Sequence, residues 1–138
     1  MALGRNAKVD LIRQVPLFSR CSRKELAEVA SIADEIDLPA GRVLMREGER
    51  GTEFFVLLDG SADVLRSGRK INKLGDGDFF GEIALVSRSD RTATVTTSEP
   101  SRVLVITEQA FRALLDHAPQ IQIRVLEALA DRLAPSTL

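Results

Sequence analysis

The chain has no tryptophan, no tyrosine, one cysteine and one histidine among its 138 residues. A single cysteine, Cys21, excludes an internal disulfide framework and suits a reducing cytosol, so a cytoplasmic location is expected. A single histidine, His117, excludes a histidine-rich metal site and weakens any hydrolase that needs several imidazoles. Without tryptophan or tyrosine, binding of single-stranded nucleic acid by aromatic stacking loses its main platform. Charge of one sign is also lacking: the formal net charge is −1, against the basic footprint of a general DNA or RNA binder. The longest apolar run, Phe54-Phe55-Val56-Leu57-Leu58, is far too short to span a membrane. No apolar stretch follows Met1-Ala2-Leu3-Gly4-Arg5, so no secretory signal is expected. The length suits one domain, residues 1–138, with a core of its own.

Glycine is scarce at both ends and concentrated in the middle, where eight of the nine fall between Gly41 and Gly81. The first zone, to about Ile36, reads as helix. Ser22-Arg23-Lys24-Glu25 fits a capping box, and Leu26, Val29, Ala30 and Ala33 form an amphipathic stripe behind it. A shorter helix is expected over Ala7 to Gln14, broken at Val15-Pro16-Leu17-Phe18. The middle, 37–107, reads as strands: Arg42 to Met45, Phe54 to Leu58, Ser61 to Arg66, Lys70 to Leu74, Thr92 to Thr97 and Arg102 to Ile106. Asp59-Gly60 reads as a hairpin turn and Ser67-Gly68 as a second turn. In the last zone, 108–138, Thr107 is a plausible N-cap, and Phe111, Leu114 and Leu115 share a face. Pro119 interrupts, and a final helix carries Ile121, Val125, Leu129 and Leu133 before stopping near Pro135. The fold expected is mixed α+β: an antiparallel, jelly-roll-like β-roll bracketed by N-terminal helices and two C-terminal ones.

Chemistry concentrates in Gly75-Asp76-Gly77-Asp78-Phe79-Phe80-Gly81-Glu82-Ile83-Ala84-Leu85 and continues through Arg91-Thr92-Ala93-Thr94-Val95. These are the parts of an anion pocket. A glycine-rich turn permits close backbone approach, and Gly81 can open a short helix whose free N–H groups attract phosphate. Arg91 offers a planar fork of donors suited to phosphate oxygens. Glu82 is the carboxylate that can accept from sugar hydroxyls.

In these residues the chain resembles the cyclic nucleotide-binding domain family, whose phosphate-binding cassette has the form F-G-E-x-A-L, a variable loop, then R-[ST]-A-x-V. Here the cassette (80–93 in its core) stands as Phe80-Gly81-Glu82-Ile83-Ala84-Leu85, then Val86 to Asp90, then Arg91-Thr92-Ala93-Thr94-Val95, with all core positions matching. Gly48, Asp59-Gly60 and Gly77 fall at the family's turn glycines, and the resemblance runs from Val15 to the C-terminal helices. It implies that Arg91 pairs with the cyclic phosphate and Glu82 accepts from the ribose 2′-hydroxyl. Backbone N–H groups near Gly81, Ile83, Ala84 and Ala93 would complete the cradle. Thr92 would donate to a phosphate oxygen and, in some members, reach a guanine amino group. The last helix would fold over the base as a lid, with Arg132 placed to stack on the purine. The ligand implied is cAMP, favoured over cGMP, with no cofactor and no turnover. Binding would reposition the C-terminal helices and so regulate an effector protein or a fused domain.

Two other readings compete. An interaction module on the same fold could have lost nucleotide binding, against which Glu82, Arg91 and Thr92 count. A cupin-like metal enzyme or a cyclic nucleotide phosphodiesterase needs several converging His and acidic ligands, which His117 alone cannot supply. No helix-turn-helix is expected beyond the final helix, and direct nucleic-acid contact is not expected. Cys21 beside its cap and His117 at a helix end are expected to be structural, as are Phe54, Phe55, Phe79 and Phe80 in the core.

Overall fold

The computed structural model of the chain describes residues 5–133; residues 1–4 and the expected helix stop near Pro135 lie outside them. Helix α1 (Arg5–Arg13) leads through a single 3₁₀ turn at Pro16–Phe18 to α2 (Arg23–Ile32). Ser22 and Glu25 form the capping box in both directions: Ser22 Oγ accepts from Glu25 N at 3.1 Å, and Glu25 Oε1 from Ser22 N at 2.8 Å. Eight strands follow: β1 (Asp34–Leu38), β2 (Val43–Met45), β3 (Glu53–Asp59), β4 (Ala62–Arg66), β5 (Arg69–Leu74), β6 (Phe79–Phe80), β7 (Thr94–Thr97) and β8 (Ser101–Thr107). Helix α3 (Glu82–Ser87) lies between β6 and β7, and α4 (Glu108–His117) and α5 (Pro119–Leu133) end the described chain.

The strands form two four-stranded antiparallel sheets, ordered β1-β8-β3-β6 and β2-β7-β4-β5. Within the first sheet β3 and β8 are buried on both faces, and their sequence explains why. Along β3 and β8, Phe54, Val56, Leu104 and Ile106 pack on the helices, among Phe18, Leu26, Val29, Phe111, Leu114, Ile121 and Val125. The alternate residues Phe55, Leu57, Val103 and Val105 face the second sheet's Ala62, Leu74 and Val95. A strand with two buried faces has no polar side, hence the unbroken apolar run of β3. Phe54 stacks on Phe111 with centroids 4.4 Å apart, tying β3 to α4. The result is the expected β-roll with its flanking helices.

Three local readings need correction. Helix was expected to about Ile36, but α2 ends at Ile32, Ala33 is extended, and Asp34–Leu38 is β1. The stripe of apolar residues stops at Ala33, and β1 instead gains a full ladder with β8, from Asp34↔Val105 to Leu38↔Ser101. Asp59-Gly60 is not a hairpin turn, because β3 and β4 belong to different sheets and only Gly60 has positive φ there (117°). The two-residue turn with both residues left-handed is Ser67-Gly68 (φ 53° and 77°), which joins β4 to β5. Finally, β7 begins at Thr94 and not at Thr92, so Thr92 and Ala93 join Arg91 on the loop ahead of it.

At Gly60 a Cβ would lie 2.1 Å from Ser101 Oγ and 2.8 Å from Ser101 Cα, on a backbone already disfavoured for other residues. Gly60→Ala is therefore expected to destabilise the fold by about 1–3 kcal/mol in urea unfolding. Gly41→Ala, also at positive φ but with nothing within 4 Å of the new Cβ, is expected to cost less. Equal effects would mean that backbone conformation, not the Ser101 contact, decides. Burial, reinforced by the neighbouring Glu25 charge, pushes the Cys21 thiol up to about 11, the opposite of an activated thiolate. His117 pairs with Glu28, joining the end of α4 to α2.

Candidate functional site

Strand β6 delivers the chain to Gly81, whose φ of 94° turns it sharply into α3. A side chain there would press within 3.0 Å of both Arg91 Nη1 and Glu53 O, so glycine is required by space as well as by conformation. Arg91 is only 5% exposed. Its Nη1 donates to Gly81 O at 2.9 Å and its Nη2 to Glu53 O at 2.7 Å, and the guanidinium lies 5.7 Å from the centre of the Phe55 ring. Burial pulls its pKa below the usual arginine value, while Glu53 and Glu82 pull the other way. An arginine so placed keeps its charge, and it lines the cavity. Gly51 makes room for it: a Cβ there would be 3.0 Å from the guanidinium and 2.7 Å from Ala84 Cβ.

Glu82 opens α3 and is fully buried. One carboxylate oxygen, Oε1, accepts from Arg132 Nη1; the other, Oε2, is buried with no hydrogen-bond partner among the described residues. A buried carboxylate oxygen without a donor is costly. A ligand hydroxyl reaching it would remove that cost. The first-turn N–H groups of α3 have no carbonyl partner within the helix, and the residues that carry them, Glu82, Ile83 and Ala84, line the same space.

That space is a cavity of about 460 Å³ against the inner face of the second sheet. Phe80, Gly81, Glu82, Ile83, Ala84, Arg91, Thr92, Ala93 and Arg132 all line it, so nine of the ten expected site residues come together. Leu85 does not line it. It is fully buried on the other side of α3, in the helix-facing core, where it anchors the cassette. Arg132 reaches in from α5, but its partners are Glu82 and the carbonyl of Phe79 (2.5 Å), with the guanidinium 5.0 Å from the Phe79 ring. Val125 is buried against the core, Leu129 is half-buried and Leu133 is exposed, so burial fades along α5 toward the cavity.

The apolar wall of the cavity is Met45, Val64, Ile71, Leu74 and Val95, and the sequence reading missed all of these except as strand residues. They belong to four different strands, and only the pairing of those strands brings them together. Arg66 was also missed: it lines the cavity and donates its Nε to Thr92 O at 3.0 Å, holding the loop after Arg91. Among the described residues no group of three metal-ligating side chains occurs, and no helix is long and apolar enough to cross a membrane.

A concave site with a buried arginine, an unsatisfied carboxylate and an apolar wall matches the comparison with known families. The model of the cyclic nucleotide-binding domain matches residues 35–118. The chain belongs to that family. It is 34% identical over 113 residues to a cAMP-dependent protein kinase regulatory subunit of Mycosarcoma maydis, covering 75% of this chain and 22% of that protein. It is 31% identical over 127 residues to a putative potassium channel protein of Rhodopseudomonas palustris, covering 89% of this chain and 31% of that one. The chain thus spans less than a third of either relative. Among solved structures, the cAMP-bound PfPKA-R superposes with a TM-score of 0.80 at 26% identity, over 96% of this chain and 49% of that one. A regulatory subunit of a cAMP-independent protein kinase A from Trypanosoma brucei reaches a TM-score of 0.83 at 21% identity, over 92% and 46%. The second likeness is to the fold alone. In a cyclic nucleotide-binding domain, then, the residues of the cavity rather than the roll have to decide the ligand.

Proposed function

We propose that this chain is a non-catalytic sensor of a cyclic purine nucleotide, with cAMP favoured over cGMP, acting in the cytoplasm as one binding unit over residues 1–138. The observation that carries this reading is the pairing, in one cavity, of the Arg91 donors with the orphaned Oε2 of Glu82. A cyclic phosphate carries one negative charge and sits beside a ribose 2′-hydroxyl donor, which suits that pair. Arg91 would meet the phosphate together with the N–H groups of Ile83, Ala84 and Ala93, and Glu82 would take the 2′-hydroxyl. The purine would lie on Met45, Val64, Ile71 and Leu74. The preference for cAMP rests on likeness to relatives named for cAMP; Thr92 is compatible with either base.

Signalling would run through α5. Arg132 ties α5 to Oε1 of Glu82 and the ribose would take Oε2, so α5 and the ligand would share one carboxylate. A near-complete two-state shift takes roughly 5.5 kcal/mol of differential affinity, and a micromolar ligand supplies about 8 kcal/mol in total, so the switch is feasible. The regulated effector is a partner protein or a fused domain. The test is pulsed dipolar spectroscopy with spin labels at Lys73→Cys and Glu127→Cys in a Cys21→Ser background, both labelled positions being exposed. A cAMP-dependent change in the label distance supports the sensor, and an unchanged distribution at saturation would return the chain to a scaffold. Competition of cAMP and cGMP for the site settles the base.

Arg132→Ala is expected to speed nucleotide release by about 2- to 30-fold, the range that 0.5–2 kcal/mol of cation–π contact gives. Stopped-flow displacement of a fluorescent cyclic nucleotide reads this directly. Unchanged release would confine Arg132 to its pairing with Glu82.

A further inference from the structure

Behind α3, on the side away from the nucleotide cavity, lies a second cavity of about 540 Å³. Among the described residues only Ala84 borders both. Arg50, Arg88 and Arg112 converge on it from three separate elements: the loop before β3, the end of α3 and the second turn of α4. Asp90 and Glu108 line it as well. Among the described residues no ion pair joins any of these arginines to either carboxylate, although all five border the same space. Arg112 donates to the carbonyl of Leu85, and the side chains of Arg50 and Arg88 make no hydrogen bond with the described residues.

Three arginines against two carboxylates, none of them paired, leave the concavity with an excess of positive charge that an anion can complement. Arg88 is moreover held in the left-handed region at φ 56°, with its backbone N–H bonded to Ala84 O, a conformation that costs energy in a residue with a side chain. The backbone there is fixed from the other side too. The backbones of Arg50 and Asp90 form an isolated antiparallel β-bridge, and Arg91 N donates to Glu49 O at 2.8 Å, so the two loops form one rim. The guanidinium groups suit a phosphate dianion, and the two carboxylates suit hydroxyl donors on the same molecule. The volume is that of a small-molecule site.

We infer that this cavity is a second ligand site, which takes a small phosphorylated polyol. The phosphate meets Arg50, Arg88 and Arg112, and the hydroxyls donate to Asp90 and Glu108. A ligand there touches the loop that follows the cassette helix and the helix that precedes the lid. The site does not depend on the nucleotide reading, because none of its polar residues lines the first cavity.

The test is titration of the whole, nucleotide-free chain with glycerol 3-phosphate and with inorganic phosphate at matched ionic strength, followed by amide chemical shifts. The expected result is saturable shifts centred on residues 50–51, 88–90 and 108–112, with glycerol 3-phosphate about tenfold tighter than inorganic phosphate. Arg88→Ala and Arg50→Ala, both at exposed positions, should each weaken binding by about tenfold or more without altering the rest of the spectrum, as loss of a charge-assisted contact implies. Arg23→Ala, exposed on α2, should change nothing. Shifts centred on 81–84 and 91–93 would overturn the proposal, since the phosphate would then be reading the nucleotide cavity. Non-saturable shifts, unchanged affinity in Arg88→Ala, or equal affinity for inorganic phosphate would overturn it too.

Discussion

Arg91→Ala is expected to weaken cyclic nucleotide binding by about 30-fold to more than about 1,000-fold, the equivalent of 2–5 kcal/mol for truncating one side of a buried charged contact. The variant should also lose stability, because Gly81 O and Glu53 O would each be left without the donor that the guanidinium supplies. About 1–3 kcal/mol is the usual consequence of stranding such groups. The two effects separate experimentally: calorimetric titration reads the first, and urea unfolding without ligand reads the second. Arg91→Lys keeps the charge but cannot span both carbonyls with a planar fork, so it should fall between alanine and the native residue in both measurements. Native affinity in the alanine variant would remove Arg91 from the ligand altogether and leave it a strut between β3 and the cassette.

Glu82→Ala should cost about 10- to 150-fold in affinity for cAMP, as the loss of a hydrogen bond to a charged group of about 1.5–3 kcal/mol implies. Its sharper signature is a ratio. The native chain should prefer cAMP to 2′-deoxy-cAMP, because only the former can donate to the orphaned Oε2. In the variant the two ligands should bind alike. Glu82→Gln, which keeps the shape but not the charge, should lose part of the preference and also loosen the hold on Arg132. If the deoxy analogue loses as much affinity as cAMP on going to alanine, Glu82 acts only as the anchor of α5.

Much of this site could be read from the chain because the cassette is local. Gly81, Glu82, Arg91, Thr92 and Ala93 fall within one loop–helix–loop segment, so their spacing alone carries the geometry. The apolar wall could not be read in that way. Met45, Val64, Ile71 and Val95 meet only through the order β2-β7-β4-β5, and that order comes from non-local ladders. The same cause hid β1. Asp34–Leu38 has three acidic or polar positions in five and little intrinsic preference for a strand, and it becomes one by pairing with β8, about 65 residues away. Asp59-Gly60 misled for a related reason: its turn chemistry is genuine, but the chain there changes sheets instead of folding back. Capping, by contrast, was legible at Ser22, Thr107 and Pro119, where the side chain or ring acts on its own first turn. Leu85 shows the limit of a motif: it matches the family's pattern, and its role is packing against the helices rather than lining the cavity.

The central claim is that the cavity holding Arg91 and Glu82 binds a cyclic purine nucleotide. The measurement that tests it most directly is calorimetric titration of cAMP and cGMP into protein unfolded, stripped of any nucleotide and refolded, with the refolding checked by circular dichroism. Saturable one-to-one binding at micromolar affinity or better, with cAMP the tighter ligand, is the predicted result. No heat from either nucleotide, in protein shown to be folded, would contradict it.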